Sequence, residues 1–191
     1  MANTLRNLDW KDGQTNASGI RPIAYYVLKA SIKKFPTLAE GSVTYQGDFE
    51  LADGETFKTI YTTQGKGKVS YEALGEKDCR MFTNKAALSY PDINDESGVF
   101  AAGTVNSNII FAVPHYVAGG KIRFAVIGGE SFDTTIDVKG DSGDAPGSAK
   151  ATSIELSAPD FVPLPSYTGI IETDSGSLDC DTGVFTPSAN P

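Results

Sequence analysis

The strongest constraint on the fold of this chain is an alternation of apolar and polar residues with a period of two. In VTYQGDFEL, the apolar side chains Val43, Tyr45, Phe49 and Leu51 fall on one face and the polar side chains fall on the other. Successive side chains of a β-strand point to opposite faces, so this pattern predicts a half-buried strand. The same alternation recurs in three further stretches, KVSYEA (68–73), SFDTTIDVK (131–139) and TSIELSA (152–158).

Two other stretches are apolar almost throughout, NIIFAVP (108–114) and KIRFAVIGG (121–129). The glycine pair Gly119-Gly120 between them supplies the positive φ of a tight turn, so the two stretches predict a hairpin. Asp53-Gly54 predicts a second turn, before Phe57. Pro22 has no amide hydrogen to donate, so a strand in this region lies at a sheet edge or starts after the proline.

One helix is predicted, in KDCRMFTNKAALSY (77–90), with Asp78 as its N-cap and Pro91 as its stop. Four apolar residues in it recur at near-helical spacing, Cys79, Phe82, Ala86 and Tyr90. A single helix among many strands predicts a mainly β fold, an antiparallel β-sandwich or barrel with one flanking α-helix.

The chain divides into an extended N-terminal arm (1–19), a β-domain (20–172) and a polar C-terminal tail (173–191). The tail carries only Leu178, Val184 and Phe185 as apolar anchors. It is therefore predicted to be mobile or to lie across a neighbouring chain.

Composition argues against several classes of function. The 191 residues carry a net charge of −8, and the basic residues are thinly spread, which disfavours a protein that grips nucleic acid. The polar start predicts a protein made and kept in a cytosol, and no apolar run is long enough to predict a membrane span. Cys79 and Cys180 are expected to be free thiols in a reducing compartment.

The sequence GDSG (140–143) is also the sequence of the nucleophile loop in chymotrypsin-like proteases. A serine nucleophile needs a base within hydrogen-bond reach, and the only histidine, His115, is predicted to lie on a turn of the other hairpin. Gly, Asp and Ser are also the residues that turns select. We therefore expect no enzyme activity, no cofactor and no metal site.

Three stretches together resemble the major tail, or tail-tube, proteins of phages and prophages of Bacteroidetes-type hosts. They are KVSYEALGEKD (68–78), NIIFAVPHYVAGGKIRFAVIGG (108–129) and FVPLPSYTGII (161–171). The resemblance is one of strands and turns and covers approximately residues 40–172. It implies a structural virion protein, made in the host cytoplasm, whose copies form hexameric rings that stack into a hollow tail tube. The implied partners are further copies of the chain, the tape-measure protein, the transiting double-stranded DNA, and sheath, baseplate or tail-terminator proteins, with no membrane.

In such a tube, a long loop of each subunit reaches the next ring. Two loops are candidates for it, Gly140–Ala149 with Asp141, Ser142 and Asp144, and Pro91–Gly98 with Asp92, Asp95 and Glu96. Carboxylates on polar strand faces are expected to line the channel, because they repel the DNA backbone. The candidates are Asp48, Glu50, Glu72, Asp133, Asp137 and Glu155.

Two alternatives stay open. One is another virion structural protein, such as a head-decoration, neck or tail-completion subunit. The other is a carbohydrate-binding β-sandwich that uses Tyr25 and Tyr26, because the single tryptophan, Trp10, lies in the arm.

Overall fold

Extended strands dominate residues 6–188, which are the part of the chain that the computed structural model describes. The strands of this part are β1 (Ile23–Leu28), β2 (Ile32–Lys34), β3 (Thr37–Leu38), β4 (Thr44–Gln46), β5 (Glu50–Leu51), β6 (Lys58–Tyr61), β7 (Lys68–Leu74), β8 (Met81–Tyr90), β9 (Ile109–Val117), β10 (Lys121–Ile127), β11 (Thr135–Asp141), β12 (Ala151–Asp160), β13 (Ser166–Tyr167), β14 (Ile170–Thr173), β15 (Gly176–Asp179) and β16 (Phe185–Pro187). The helical elements are α1 (Asp95–Thr104) and one 3-10 turn, Lys29–Ser31. The predicted mainly β fold with one α-helix is confirmed.

The strands form three stacked layers. The central sheet has the order β3-β4-β13-β10-β9-β1-β6, and a four-stranded sheet with the order β11-β12-β8-β7 packs on its first face. A C-terminal sheet, β14-β15-β16, packs on its second face, beside the short ribbon β2-β5. The pairs are antiparallel apart from β4–β13.

Because the central sheet is buried on both faces, its middle strands carry continuous apolar runs, 109–114 in β9 and 124–127 in β10, rather than apolar residues at alternate positions. Phe111 of β9 packs toward the four-stranded sheet, and its neighbour Ile110 packs toward Ile171 and Leu178 of the C-terminal sheet. The predicted hairpin of β9 and β10 is confirmed, with positive φ at Gly119 and Gly120.

The predicted helix at 77–90 is wrong. Most of that stretch is β8, which pairs with β7 and β12 along its length. Phe82, Ala86 and Tyr90 are four residues apart, and a spacing of four satisfies both periods, because it also returns a strand to the same face. The neighbouring strands decide between the two readings by supplying hydrogen-bond partners on both sides.

The helix lies instead at Asp95–Thr104, and its first four residues fall in the stretch Pro91–Gly98 that was predicted to be a loop. Asn94 caps it, with its side chain accepting from the Ser97 amide and the Ser97 hydroxyl completing the capping box. Asp95 and Glu96 stand in its first turn, where carboxylates stabilise the positive end of the helix dipole. The sequence signal of this helix is therefore its cap, because its apolar residues have no helical periodicity.

Two strand predictions need correction in detail. The stretch 43–51 is divided at Gly47, which has positive φ, into β4 and β5, and these strands join different sheets. The alternation still holds, because Tyr45 and Phe49 are both buried. Asp53-Gly54 is a turn, but the strands before and after it do not pair. Strand β1 starts directly after Pro22 and lies inside the central sheet.

The segment predicted as a mobile tail forms most of the C-terminal sheet. Ile171, Leu178 and Cys180 are buried against the central sheet. Of the described arm residues, Thr15 and Gly19 are bonded to β9 and its turn, because their carbonyls accept from the Gly119 and Tyr116 amides, and residues 6–12 are exposed. Residues 1–5 of the predicted arm and 189–191 of the predicted tail lie outside the described residues.

Asn84 of β8 ties the segment between β12 and β13 to the core. This side chain is buried, its Nδ2 donates to the Val162 carbonyl (3.0 Å), and its Oδ1 accepts from the Leu164 amide (2.8 Å). Leu164 has a φ of 38°, a conformation that a leucine rarely adopts. The amide of Asn84 therefore satisfies two backbone groups in a segment without a strand ladder.

We expect Asn84→Ala to lower the free energy of unfolding by about 2–4 kcal/mol, because it leaves two backbone groups unsatisfied. Urea unfolding followed by circular dichroism measures the change. Asn106→Ala, at an exposed position, is the matched control and should change the value by no more than about 0.5 kcal/mol. Equal stability of the two variants would contradict this role of Asn84.

The reactivity of the two cysteine thiols, Cys79 and Cys180, tests whether the C-terminal sheet is packed against the central sheet. Both are free, Cys79 is exposed, and burial raises the pKa of the Cys180 thiol. Because the thiolate is the reactive species, only Cys79 should react with a thiol reagent such as dithionitrobenzoate in the native protein at pH 8. Both should react in urea, and Cys79→Ser should leave no fast-reacting thiol. Rapid labelling of Cys180 in the native chain would mean that the C-terminal sheet opens readily.

Candidate functional site

The four-stranded sheet has one face and two edges that no other strand or sheet of residues 6–188 covers. Its inner face packs on the central sheet, and its outer face is open. Within residues 6–188, no strand pairs with the free edge of β7 or of β11, and both strands are seven residues long. Long free edges are templates for pairing with another chain, and monomeric proteins usually cover or shorten them.

Small and charged side chains alternate across the outer face. In one row across the sheet, Lys68 of β7 is followed by Ala87, Glu155 and Asp137. The next row holds Ser70, Lys85, Ser157 and Thr135. Alanine and serine between the charges leave a shallow depression of about 350 Å³ at the middle of the face.

The charge on this face is nearly balanced. By strand alternation it carries four carboxylates and three lysines, namely Glu72, Asp137, Asp141 and Glu155 with Lys68, Lys85 and Lys139. Lys85 Nζ lies 2.5 Å from Glu72 Oε1. Asp137 stands directly opposite Glu155, and two carboxylates in such a cross-strand position repel each other. Sequence reasoning missed the lysines because it considered only the acidic side chains of each strand.

The structure brings together three of the six carboxylates predicted to share one surface, Glu72, Asp137 and Glu155. Asp133 precedes β11 and forms an ion pair of 2.7 Å with Lys29. Asp48 and Glu50 lie on the opposite side of the central sheet, near the C-terminal sheet. The Asp48 carboxylate accepts from the Ile170 amide (2.8 Å), and Glu50 pairs with Lys34 (2.6 Å).

Strand β7 exposes apolar side chains that its alternation predicted to be half-buried. Val69 packs on the core, but Tyr71 is 56% exposed and Ala73 is exposed as well. The Tyr71 ring has one aromatic neighbour in its own chain, Phe82, at 6.2 Å between ring centroids. The end of β7 therefore presents an apolar face that its own chain does not cover.

The two loops predicted as candidates for the contact with the next ring, 91–98 and 140–149, meet at one end of this sheet. Asp92 forms an ion pair with Lys150, and the Thr152 hydroxyl donates to the Asp92 carbonyl (2.7 Å). The hydrogen bond from Lys150, and then that from the Ile93 amide, lower the pKa of the Asp92 carboxyl. Asp141, Ser142 and Asp144 lie at or after the end of β11, whereas Asp95 and Glu96 begin α1.

The GDSG stretch ends strand β11, with Gly140 and Asp141 paired to β12, and begins the loop at that same end of the sheet. The Asp141 carboxylate accepts from the Gly143 amide (2.9 Å), and the Ser142 hydroxyl donates to the Gly143 carbonyl (3.2 Å). His115 lies within β9 of the central sheet, opposite Arg123, and not on the predicted turn. Burial, and then the charge of Arg123, lower the pKa of the His115 imidazole.

Tyr25 and Tyr26 do not form one aromatic platform. They are adjacent on β1, so they point to opposite faces of the central sheet. Tyr26 stacks on Phe111 with ring centroids 5.7 Å apart, whereas Tyr25 contacts Phe124 at 6.2 Å.

In the described part of the chain, no three His, Cys, Asp or Glu side chains converge as a metal-binding group. No helix of residues 6–188 is long and apolar enough to cross a membrane. Comparison of the chain with protein-family models, with curated proteins and with solved structures finds no match.

Asp137→Asn removes the cross-strand repulsion with Glu155. We expect it to raise the free energy of unfolding by about 0.2–1 kcal/mol in low salt. The gain should shrink in 1 M salt, where the screening length falls to about 3 Å. Urea unfolding at both salt concentrations measures it. Glu72→Gln, which breaks the ion pair with Lys85, should give no gain, and equal gains from the two variants would contradict the geometry of this face.

Proposed function

We propose that this chain is the structural subunit of a phage tail tube, and that its copies join through the four-stranded sheet into stacked rings. The observation that carries the proposal is the pair of free seven-residue edges on one sheet. The resemblance of the strands and turns to tail-tube proteins supports the same function. The role is structural and needs no bond to be made or broken.

The number of strands in the sheet suits a ring. Each strand of the order β11-β12-β8-β7 is antiparallel to its neighbour, so β7 runs opposite to β11. A rotation about the ring axis preserves strand direction, so β7 of one copy meets β11 of the next in antiparallel orientation. Every joint can then be an ordinary antiparallel pair, and a closed ring of such sheets has no free edge.

Full overlap of the two edges gives one defined register. It places Lys68 opposite Asp141, Tyr71 opposite Val138, and Ala73 opposite Ile136 of the neighbouring copy. The exposed ring of Tyr71 would then lie against Val138, which packs at the margin of the core. Glu72 would meet Asp137 in this register, and Lys85, already paired with Glu72, lies next to that contact.

The outer face of the sheet would line the channel. Small side chains leave room, and near-balanced charge gives passing DNA few lysines to bind, since each bound phosphate adds affinity that depends on salt. Glu72, Asp137 and Glu155 are the predicted channel residues that this arrangement retains. The end of the sheet that carries Asp92 and Asp141 would face the adjacent ring, and the partners would be the tape-measure protein, DNA and other tail proteins.

Negative-stain electron microscopy of the purified protein tests the proposal. Hollow rods built from stacked rings are expected at high protein concentration. A chain that stays monomeric at every attainable concentration would overturn the proposal.

Tyr71→Asp tests the joint between copies. It inserts a carboxylate where two apolar side chains meet, so we expect the critical concentration for assembly to rise at least tenfold, which corresponds to about 1.4 kcal/mol or more. Sedimentation velocity measures the change, and circular dichroism should show a folded monomer because Tyr71 is already exposed. Tyr61→Asp is the matched control, since Tyr61 is 49% exposed on β6 of the central sheet. Equal loss of assembly in both variants would contradict pairing through β7.

A further inference from the structure

A pocket lined by aromatic rings and carboxyl groups lies at the end of strand β12. It has a volume of about 320 Å³ and lies between the chain around β3 and β4 and the segments that follow β10 and β12. The rings of Phe35, Phe132 and Phe161 are its apolar walls, and the last two meet with ring centroids 5.1 Å apart. Because Phe161 is 58% exposed, this wall is accessible from solvent.

Two carboxyl groups in this pocket have no cation beside them. Asp160, the last residue of β12, is half-buried, and its Oδ1 accepts from the Val162 amide (3.2 Å). Glu130 is exposed at the rim. Neither forms an ion pair with any residue in 6–188. No lysine, arginine or histidine of the same residues lines the pocket.

The Tyr45 hydroxyl adds a polar group that its own chain does not satisfy. Tyr45 is only 8% exposed and lines the pocket, where its hydroxyl lies beside Gly129, since a Cβ at that glycine would be 3.9 Å from it. This hydroxyl makes no hydrogen bond with another residue in 6–188, although a buried tyrosine hydroxyl usually has a partner. Burial, and then the charges of Asp160 and Glu130, raise the pKa of Tyr45, which agrees with a hydroxyl close to both carboxylates.

We propose that this pocket binds the ammonium group of a primary alkylamine. The Asp160 and Glu130 carboxylates balance the charge of the ammonium, and the Tyr45 hydroxyl accepts one of its hydrogens. The rings of Phe132 and Phe161 attract the cation through their faces and cover the methylene chain behind it.

The acceptors suit an ammonium better than other cations. An ammonium has three diverging N–H donors, and the pocket offers three separate acceptors, Asp160, Glu130 and Tyr45. A planar guanidinium prefers both oxygens of one carboxylate, and Asp160 Oδ1 already accepts from the Val162 amide. Calcium takes about six to eight oxygen ligands, whereas much of this pocket is phenyl ring.

The inference does not depend on how copies of the chain join. None of the residues that line the pocket belongs to β7 or β11. The alkylamine can be a free small molecule or the side chain of a lysine in another chain, because the chemistry of the ammonium group is the same in both.

Titration of the full-length protein with n-butylammonium tests the proposal, followed by calorimetry and by amide chemical shifts. We expect saturable binding at least tenfold tighter than that of 1-butanol, which has the same alkyl chain but no charge. Shift changes should centre on residues 129–132 and 160–161. A lysine blocked at its amino and carboxyl ends is titrated in parallel. Binding of both amines would support a lysine side chain as the ligand, and binding of n-butylammonium alone would support a free amine.

Two variants test the acceptors. Asp160→Asn should weaken n-butylammonium binding at least tenfold. Tyr45→Phe should weaken it at least threefold and leave the urea midpoint unchanged, because the hydroxyl has no partner to lose. Glu76→Gln is the matched control, since it removes one negative charge from an exposed turn between β7 and β8 and should leave binding unchanged. Circular dichroism checks that each variant is folded.

The outcomes separate this inference from the proposed tube. Equal binding of 1-butanol, unchanged affinity in both Asp160→Asn and Tyr45→Phe, or displacement of the amine by an equal concentration of calcium would each overturn the inference. Tubes built from a protein that binds no amine would overturn the inference and leave the tube standing. A chain that binds the amine but never assembles would support the inference and count against the tube.

Discussion

Burial of the central sheet on both faces is the constraint on which the rest of the structure depends. Residues 109–113 of β9 are all buried, so consecutive side chains contribute to two separate cores. A sheet of this kind cannot remain folded with one face in water, because each exposed strand would lose about half of its apolar burial. The four-stranded sheet and the C-terminal sheet are thus both required, and the segment that looked like a polar tail is part of the core.

The two covering layers differ in what they leave open. The C-terminal sheet covers the second face only partly, and it leaves open a groove of about 590 Å³ lined by Tyr25, Phe124 and Phe185. The four-stranded sheet covers the first face but extends beyond it at β7, where Tyr71 and Ala73 have no core beneath them. Free edges and an uncovered apolar strand end are both features that a further copy of the same chain can satisfy. This common need, rather than any reactive side chain, supports the proposal of self-assembly.

Sequence patterns predicted the secondary structure correctly where only one local structure was compatible with the pattern. The hairpin of β9 and β10 follows from two apolar runs joined by Gly119-Gly120, because only a turn with positive φ fits that pair at low cost. Sequence patterns gave the wrong element in residues 77–90, because the spacing of Phe82, Ala86 and Tyr90 satisfies both the helical and the strand period. Of the six carboxylates predicted for the candidate site, three lie together on the outer face of the four-stranded sheet. Glu72, Asp137 and Glu155 meet on one face, whereas Asp48 and Glu50 lie beyond the central sheet, because alternation assigns a residue to a face of its strand but not to a particular sheet.

The sequence by itself determined the secondary-structure class, the inward and outward side of most strand residues, and the position of the main hairpin. These properties depend on neighbours within a few residues, and local alternation and glycine conformation encode them. Only the tertiary structure decided which strands share a sheet, that residues 170–187 close the second core, and that β7 and β11 end with free edges. These properties depend on contacts between residues far apart in sequence, such as Lys68 with Ala87 and Asp137 with Glu155, and no local pattern records those contacts.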